Sequence, residues 1–249
     1  MTKRTRCLLL TLVSGTAVFS GVVGLRWWRD RHPDLPGTLM QEIPAGCRQV
    51  LLVLAPDRDS IPARLWRMER GPAGGWRTVS GSIPVSLGRS GLAWGVGRHQ
   101  SGPPAGWLTK REGDGRSPAG IFSLPFAFGS ESAAPWLRLR YVMCTPTLAG
   151  VDDPKSRFYN QVVEAAEVSR DWDSAEIMRR GDGLYRWGAF VAHNPQNSPG
   201  AGSCIFLHLW RGPGQPTAGC TAMAEEDLLT ILSWLDPAAE PCLVQTVAP

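Results

Sequence analysis

From Gln49 onward the chain is cut into brief apolar runs by glycine and proline, and that punctuation limits what it can build. Val50–Leu54, Ala63–Met68, Trp76–Val79 and Ile83–Val85 are each six residues or fewer and are divided by Gly and Pro turns. Runs this short, rich in branched and aromatic residues, suit strands rather than helices. Further runs of the same kind lie at Ile121–Leu124, Leu137–Val142, Gly188–His193, Cys204–Trp210 and Cys242–Val247. The expectation is a mainly β core, sandwich- or barrel-like, with a few helices in an α+β arrangement. No internal repeat or low-complexity tract is present.

One helix is legible. From Ala224 to Leu235 the apolar residues Leu228, Ile231, Leu232 and Leu235 recur at i, i+3, i+4 and i+7. Glu225, Glu226 and Asp227 favour the positive end of the helix dipole, and Pro237 stops the helix. Two other stretches are read more coarsely. Gly88–Gly106 is taken as an exposed irregular loop, and the polar segment from Asp152 to Arg180 as partly helical.

Composition sets the class. Hydrophobic residues make up 43% and charged residues 19% of the chain, which describes a globular protein without a disorder signature. The first 25 residues hold Lys3, Arg4 and Arg6 and no acid. Removing those three from the net charge of +4 leaves +1. A near-neutral body argues against nucleic acid as a partner.

Cys7 to Leu25 is a 19-residue run without a charge. It reads as a signal peptide or as an uncleaved anchor in the cytoplasmic membrane, with Trp27 and Trp28 at the interface. Residues 26–46, with Pro33, Pro36, Gly37 and Pro44, read as a linker, and residues 47–249 as the functional domain. The domain is then exported, periplasmic or wall-facing. In that compartment Cys47, Cys144, Cys204 and Cys242 form an even set. They are either two disulfides, for which Cys47–Cys242 and Cys144–Cys204 is one pairing, or four buried thiols.

The chemistry concentrates near the C-terminus. Cys204-Ile205-Phe206-Leu207-His208-Leu209-Trp210 is a strand that delivers a histidine on the face opposite Leu207 and Leu209. After a loop, Thr217-Ala218-Gly219-Cys220-Thr221 places a cysteine directly after a glycine. A thiol attacks only as thiolate, so a neighbouring histidine can take its proton and return it to a leaving amine. Gly219 and Cys220 offer backbone N–H groups to an oxyanion, while Thr221 adds a hydroxyl or caps the turn. His193 ends another strand and is the rival base, read here as a structural or substrate-contact residue. His32 and His99 look incidental. No close-spaced ligand pair supports zinc, no Gly-Lys-[Ser/Thr] supports a phosphate loop, and no cofactor is implied.

These residues carry a resemblance. Strand–His–loop–Thr-x-Gly-Cys-Thr resembles the signature of L,D-transpeptidases of the YkuD type. Upstream, Gly113-Asp114-Gly115-Arg116-Ser117-Pro118-Ala119-Gly120-Ile121-Phe122 is similar to that family's Gly-Asp-Gly-x-[Ser/Thr]-Pro-x-Gly-x-[Phe/Tyr] segment. Ala218 stands where the commoner pattern has histidine, Ala222 where it has Arg or Asn, and the spacing from His208 to Cys220 is shorter than usual. The resemblance implies a cysteine acyltransferase that acts on peptidoglycan stem peptides, with Cys220 as nucleophile and His208 as base. It also implies that the histidine's second nitrogen is held by a backbone carbonyl. Tyr159 and Asn160, in a segment resembling a family insertion, are expected to face the substrate. The alternatives are an L,D-carboxypeptidase or amidase using the same site, and a wall-binding module in which Cys220 is structural.

Overall fold

The computed structural model describes residues 32–249. The expected leader or anchor over residues 1–25 lies outside them. Among the described residues no helix is long and apolar enough to cross a membrane.

The order of elements begins with a short helix, α1 (Gly37–Glu42), followed by β1 (Gln49–Ala55), β2 (Pro62–Arg70), β3 (Trp76–Thr78) and β4 (Ile83–Ser86). Next come β5 (Leu92–Trp94), β6 (Ser117–Ser123), β7 (Ala127–Gly129) and β8 (Tyr141–Met143). A separate group follows, β9 (Leu148–Val151), β10 (Val162–Glu164) and β11 (Ala175–Ile177). The chain closes with β12 (Gly188–Phe190), β13 (Phe206–Leu209), β14 (Thr221–Met223), α2 (Glu225–Trp234), a 3₁₀ turn at Pro237–Ala239, and β15 (Cys242–Val247).

The fold is mainly β with two α-helices among the described residues, as the punctuated sequence requires. A 12-stranded mixed sheet runs in the order β5-β6-β15-β1-β2-β4-β14-β13-β12-β7-β8, with β3 attached to β2. Between β15 and β2 lies β1, every residue of which is buried. β1 pairs parallel to β15 from Val50↔Cys242 to Ala55↔Val247 and antiparallel to β2. Strands covered on both faces read as continuous apolar runs, which is why Val50–Leu54 shows no alternation. Helix α2 buries Leu228, Ile231 and Leu232 in the main core, the stripe its periodicity announced.

Three coarse readings are corrected. The Asp152–Arg180 segment holds no helix. It lies partly in a second, three-stranded sheet, β10-β9-β11, and partly in turns. The two strands it contributes, β10 and β11, are three residues long and mostly half-buried, so no periodicity betrays them. Within Gly88–Gly106, β5 is a fully buried strand paired parallel to β6. The latter part of the 26–46 linker is packed as well, since Leu39, Met40 and Ile43 join the main core beside Cys47.

Cys47, Cys144, Cys204, Cys220 and Cys242 are all buried free thiols in this structure. Cys47 and Cys242 meet across the β1–β15 end. The neighbouring Cys242 thiol, together with burial, pushes the Cys47 thiol well above its ordinary range.

Candidate active site

The register of two strands fixes the site. β13 and β14 run parallel with Leu207↔Thr221, His208↔Ala222 and Leu209↔Met223 in register. Side chains alternate across a sheet, so Phe206 and His208 share a face with Cys220 and Ala222. Packing agrees: Leu207, Leu209 and Met223 enter the main core, whereas Phe206 and Cys220 join a second cluster with Phe128 and Tyr185. The expected placement of His208 opposite Leu207 and Leu209 is therefore observed. Parallel neighbours need a crossover rather than a tight turn, and Trp210–Cys220 supplies it as the rim of a cleft of about 430 Å³. His208 and Cys220 both line that cleft.

His208 is held in one tautomer. Its Nδ1 lies 2.7 Å from the Leu209 carbonyl, which can only accept, so Nδ1 carries the proton. Nε2 is left as the basic nitrogen. The Tyr185 ring packs edge-on against the imidazole with centroids 5.2 Å apart. Burial disfavours the imidazolium and lowers the His208 pKa to about 4, against the opposing pull of the Leu209 carbonyl.

Cys220 is a neutral thiol at rest. Its Sγ accepts from the Phe206 N–H at 3.3 Å and donates to the Cys204 carbonyl at 3.7 Å. Burial raises its pKa far above the free-thiol range, and the Glu176 carboxylate adds to the effect. The thiol proton is directed at the Cys204 carbonyl, so it must be redirected before any transfer to His208.

The upstream glycine-rich segment is folded directly onto the cysteine loop. Ser117 Oγ donates to the Cys220 carbonyl at 3.0 Å and accepts from the Gly88 N–H at 2.9 Å. Thr217 Oγ1 donates to the same carbonyl at 2.6 Å and accepts from the Gly219 N–H at 3.0 Å. The approach at Gly219 is close: a Cβ there would lie 3.0 Å from the Arg116 carbonyl oxygen, which would have to give by a few tenths of an ångström. Asp114 closes its own turn by accepting from Lys110 Nζ and from the Arg111 and Arg116 amides.

Several expected site residues sit elsewhere. The Gly219 N–H is bound to Thr217, so it does not point at an oxyanion; the Cys220 N–H has no partner among the described residues. The Thr221 hydroxyl lies on the far face of the sheet, donating to Gln245 Oε1 at 2.7 Å. His193 does not line the cleft. It is 1% exposed, with Nδ1 accepting from the Val96 N–H and Nε2 donating to the Ala201 carbonyl, and burial lowers its pKa to about 4.

Tyr159 and Asn160 are also behind the cleft wall. Tyr159 donates to Glu112 and accepts from the Gly202 N–H. Asn160, at φ 60°, donates to the His193 and Asn194 carbonyls and accepts from the Cys204 N–H. Asn160 thus holds Cys204, whose carbonyl receives the Cys220 thiol. These two residues support the site without touching its contents.

The cleft adds residues that the sequence did not announce. Glu176 on β11 accepts from the Tyr185 hydroxyl at 2.5 Å and pairs with Arg180 at 3.2 Å. Burial raises the Glu176 pKa. Arg89, Arg211, Asp152, Lys110 and Glu112 complete the charged rim. No local pattern marks them, because they converge from the insert sheet and several separate loops. Among the described residues no group of three or more His, Cys, Asp or Glu side chains is arranged to hold a metal ion.

Comparison with known proteins adds little. No family model and no curated protein matches the sequence. A solved structure that is similar to it is the helical cell shape determining protein Pgp2 from Campylobacter jejuni. The two are 13% identical with a TM-score of 0.37, over 81% of this chain and 48% of that one. The chain thus spans about half the length of that neighbour. A likeness this loose carries no functional weight, and the reading below rests on the residues themselves.

Proposed function

We propose that the domain is a cysteine acyltransferase that cleaves and re-forms amide bonds of peptidoglycan stem peptides, an L,D-transpeptidase. The observation that carries the reading is the fixed tautomer of His208. Leu209 holds Nδ1, which leaves a basic Nε2 on the same sheet face and in the same cleft as Cys220. The assembly of the Gly113–Phe122 segment onto the Cys220 carbonyl supports it, because both parts of the sequence resemblance meet at one site.

In the first half-reaction the Cys220 Sγ–H proton passes to His208 Nε2 as Sγ bonds to the carbonyl carbon of the L-to-D amide. The tetrahedral oxyanion takes the free Cys220 N–H. The C–N bond then breaks, the Nε2 proton goes to the departing amine, and a D-amino acid leaves behind a thioester. In the second half-reaction an acceptor amine gives its proton to Nε2 and attacks the thioester carbon. The C–S bond breaks and the thiol regains its proton. Starting from a neutral pair, each step moves one proton and leaves no buried ion unpaired at rest. Such a substrate places the domain outside the cytoplasmic membrane.

The test is incubation of the full chain with disaccharide-tetrapeptide, read by mass spectrometry, beside Cys220→Ala and His208→Ala. A cross-linked dimer absent from both variants supports transfer. A shortened monomer without dimer replaces transfer by hydrolysis at the same site. No product, with an unreactive Cys220, would leave a wall-binding module.

A further inference from the structure

The cleft rim carries four cations, Arg89, Lys110, Arg180 and Arg211. Three already face carboxylates. Lys110 is buried against Asp114 at 2.7 Å, Arg180 is paired with Asp182 at 2.6 Å and with Glu176, and Arg211 lies 3.6 Å from Asp182. Arg89 differs. Among the described residues its guanidinium meets no carboxylate and makes one long contact, to the Gly113 carbonyl at 3.4 Å.

The backbone that carries it is nonetheless held. The Arg89 N–H donates to the Thr217 carbonyl at 2.9 Å, and the Thr217 N–H donates to the Leu87 carbonyl at 3.0 Å, so the residue is clamped to the loop that ends in Cys220. Its side chain lies across Gly115, where a Cβ would come within 2.8 Å of the guanidinium carbon. Gly115 has φ 70°, which a glycine adopts freely. That glycine therefore makes room for the arginine as well as for the turn. At the neighbouring positions Ala218 and Ala222 the cleft offers only methyl groups.

We infer that Arg89 is the specificity-determining residue that binds a carboxylate of the peptide substrate. The inference rests on the acyl-transfer reading for the nature of that substrate. A solvent-facing guanidinium without an internal counter-ion, carried on a backbone clamped to the cysteine loop, is suited to a bidentate carboxylate. A stem tetrapeptide supplies two kinds, the terminal carboxylate of the departing residue and internal carboxylates along the stem. Arg89 selects for charge at the donor peptide and takes no part in proton transfer.

Calorimetric titration of the Cys220→Ala chain reads binding without turnover. The probes are disaccharide-tetrapeptide, its C-terminal amide and its analogue with the internal carboxylates amidated. Adding Arg89→Gln is expected to weaken binding of the free acid about tenfold, and Arg89→Lys less, because an ammonium lacks the fork. The loss should vanish with one of the two amides, and that amide identifies the carboxylate. Equal affinity for the acid with and without Arg89, or the same loss with all three peptides, overturns the inference. Turnover of the same peptide by the wild-type chain is read in parallel. Arg89-dependent binding without turnover would discard acyl transfer and keep the carboxylate site, whereas turnover with Arg89-independent binding would do the reverse. No binding at all discards both.

Discussion

The Ser117 hydroxyl donates to the Cys220 carbonyl at 3.0 Å across 103 residues of sequence, and it is buried while doing so. It also accepts the Gly88 N–H, so one oxygen ties the glycine-rich segment, the β4–β5 connection and the cysteine loop together. Ser117→Ala leaves a buried N–H without its acceptor and should cost about 1–3 kcal/mol of stability. Thermal melting reads the loss. Turnover should fall with it, since the Cys220 carbonyl then keeps only the Thr217 hydroxyl. An unchanged melting temperature would mean that the contact is idle.

Asn160→Ala separates a supporting residue from a substrate contact. The side chain satisfies the His193 and Asn194 carbonyls and the Cys204 N–H, and its backbone sits at φ 60°, where asparagine is better tolerated than alanine. A loss of about 3 kcal/mol or more is expected in denaturant unfolding, from several broken buried bonds together. A variant of wild-type stability with only a raised KM would restore Asn160 to the cleft wall.

Acid should inactivate the protein later than an exposed histidine would dictate. His208 must be neutral to accept a proton, and its pKa is lowered to about 4 by burial. The acidic limb of kcat/KM, which reports the free enzyme, should therefore fall near pH 4 rather than near ~6.5. A limb at the higher value would show that His208 is solvated.

Stability has a related window. His208 and His193 both have folded pKa values of about 4, below the unfolded value of 6.5. Between those limits the unfolded chain binds more protons, so stability falls as pH drops from about 6.5 towards 4. Glu176, whose folded pKa is raised, opposes this in the acidic part of the window. Melting temperatures at pH 7, 5.5 and 4.5 read the trend; a flat profile across them would contradict buried neutral histidines.

Much of the fold could be read from residue order, because its strongest elements carry local patterns. The strand runs at Val50–Leu54 and Cys242–Val247 and the heptad-like spacing of Leu228 to Leu235 each announce themselves. His208 and Cys220 were legible for the same reason: alternation fixes which face the histidine takes, and a glycine next to a cysteine marks a turn. The insert sheet was not legible, since strands such as Ala175–Ile177 are too short for any period. Tyr159 and Asn160 were expected to face the substrate, and His193 was left between a structural and a substrate-contact role, because polar side chains look the same in sequence whether they face a ligand or saturate buried backbone groups. Glu176, Tyr185 and Arg89 gave no signal, as they become neighbours of the cysteine only through long-range pairing.

Acyl transfer by this route puts the acyl group on Cys220. Intact-mass analysis after rapid quenching of the wild-type chain with disaccharide-tetrapeptide tests it most directly. An adduct equal to the substrate less its terminal D-amino acid is expected, mapped to the Cys220 peptide, absent in Cys220→Ala and formed much more slowly in His208→Ala. Product formation without any adduct, persisting in Cys220→Ala, would contradict it.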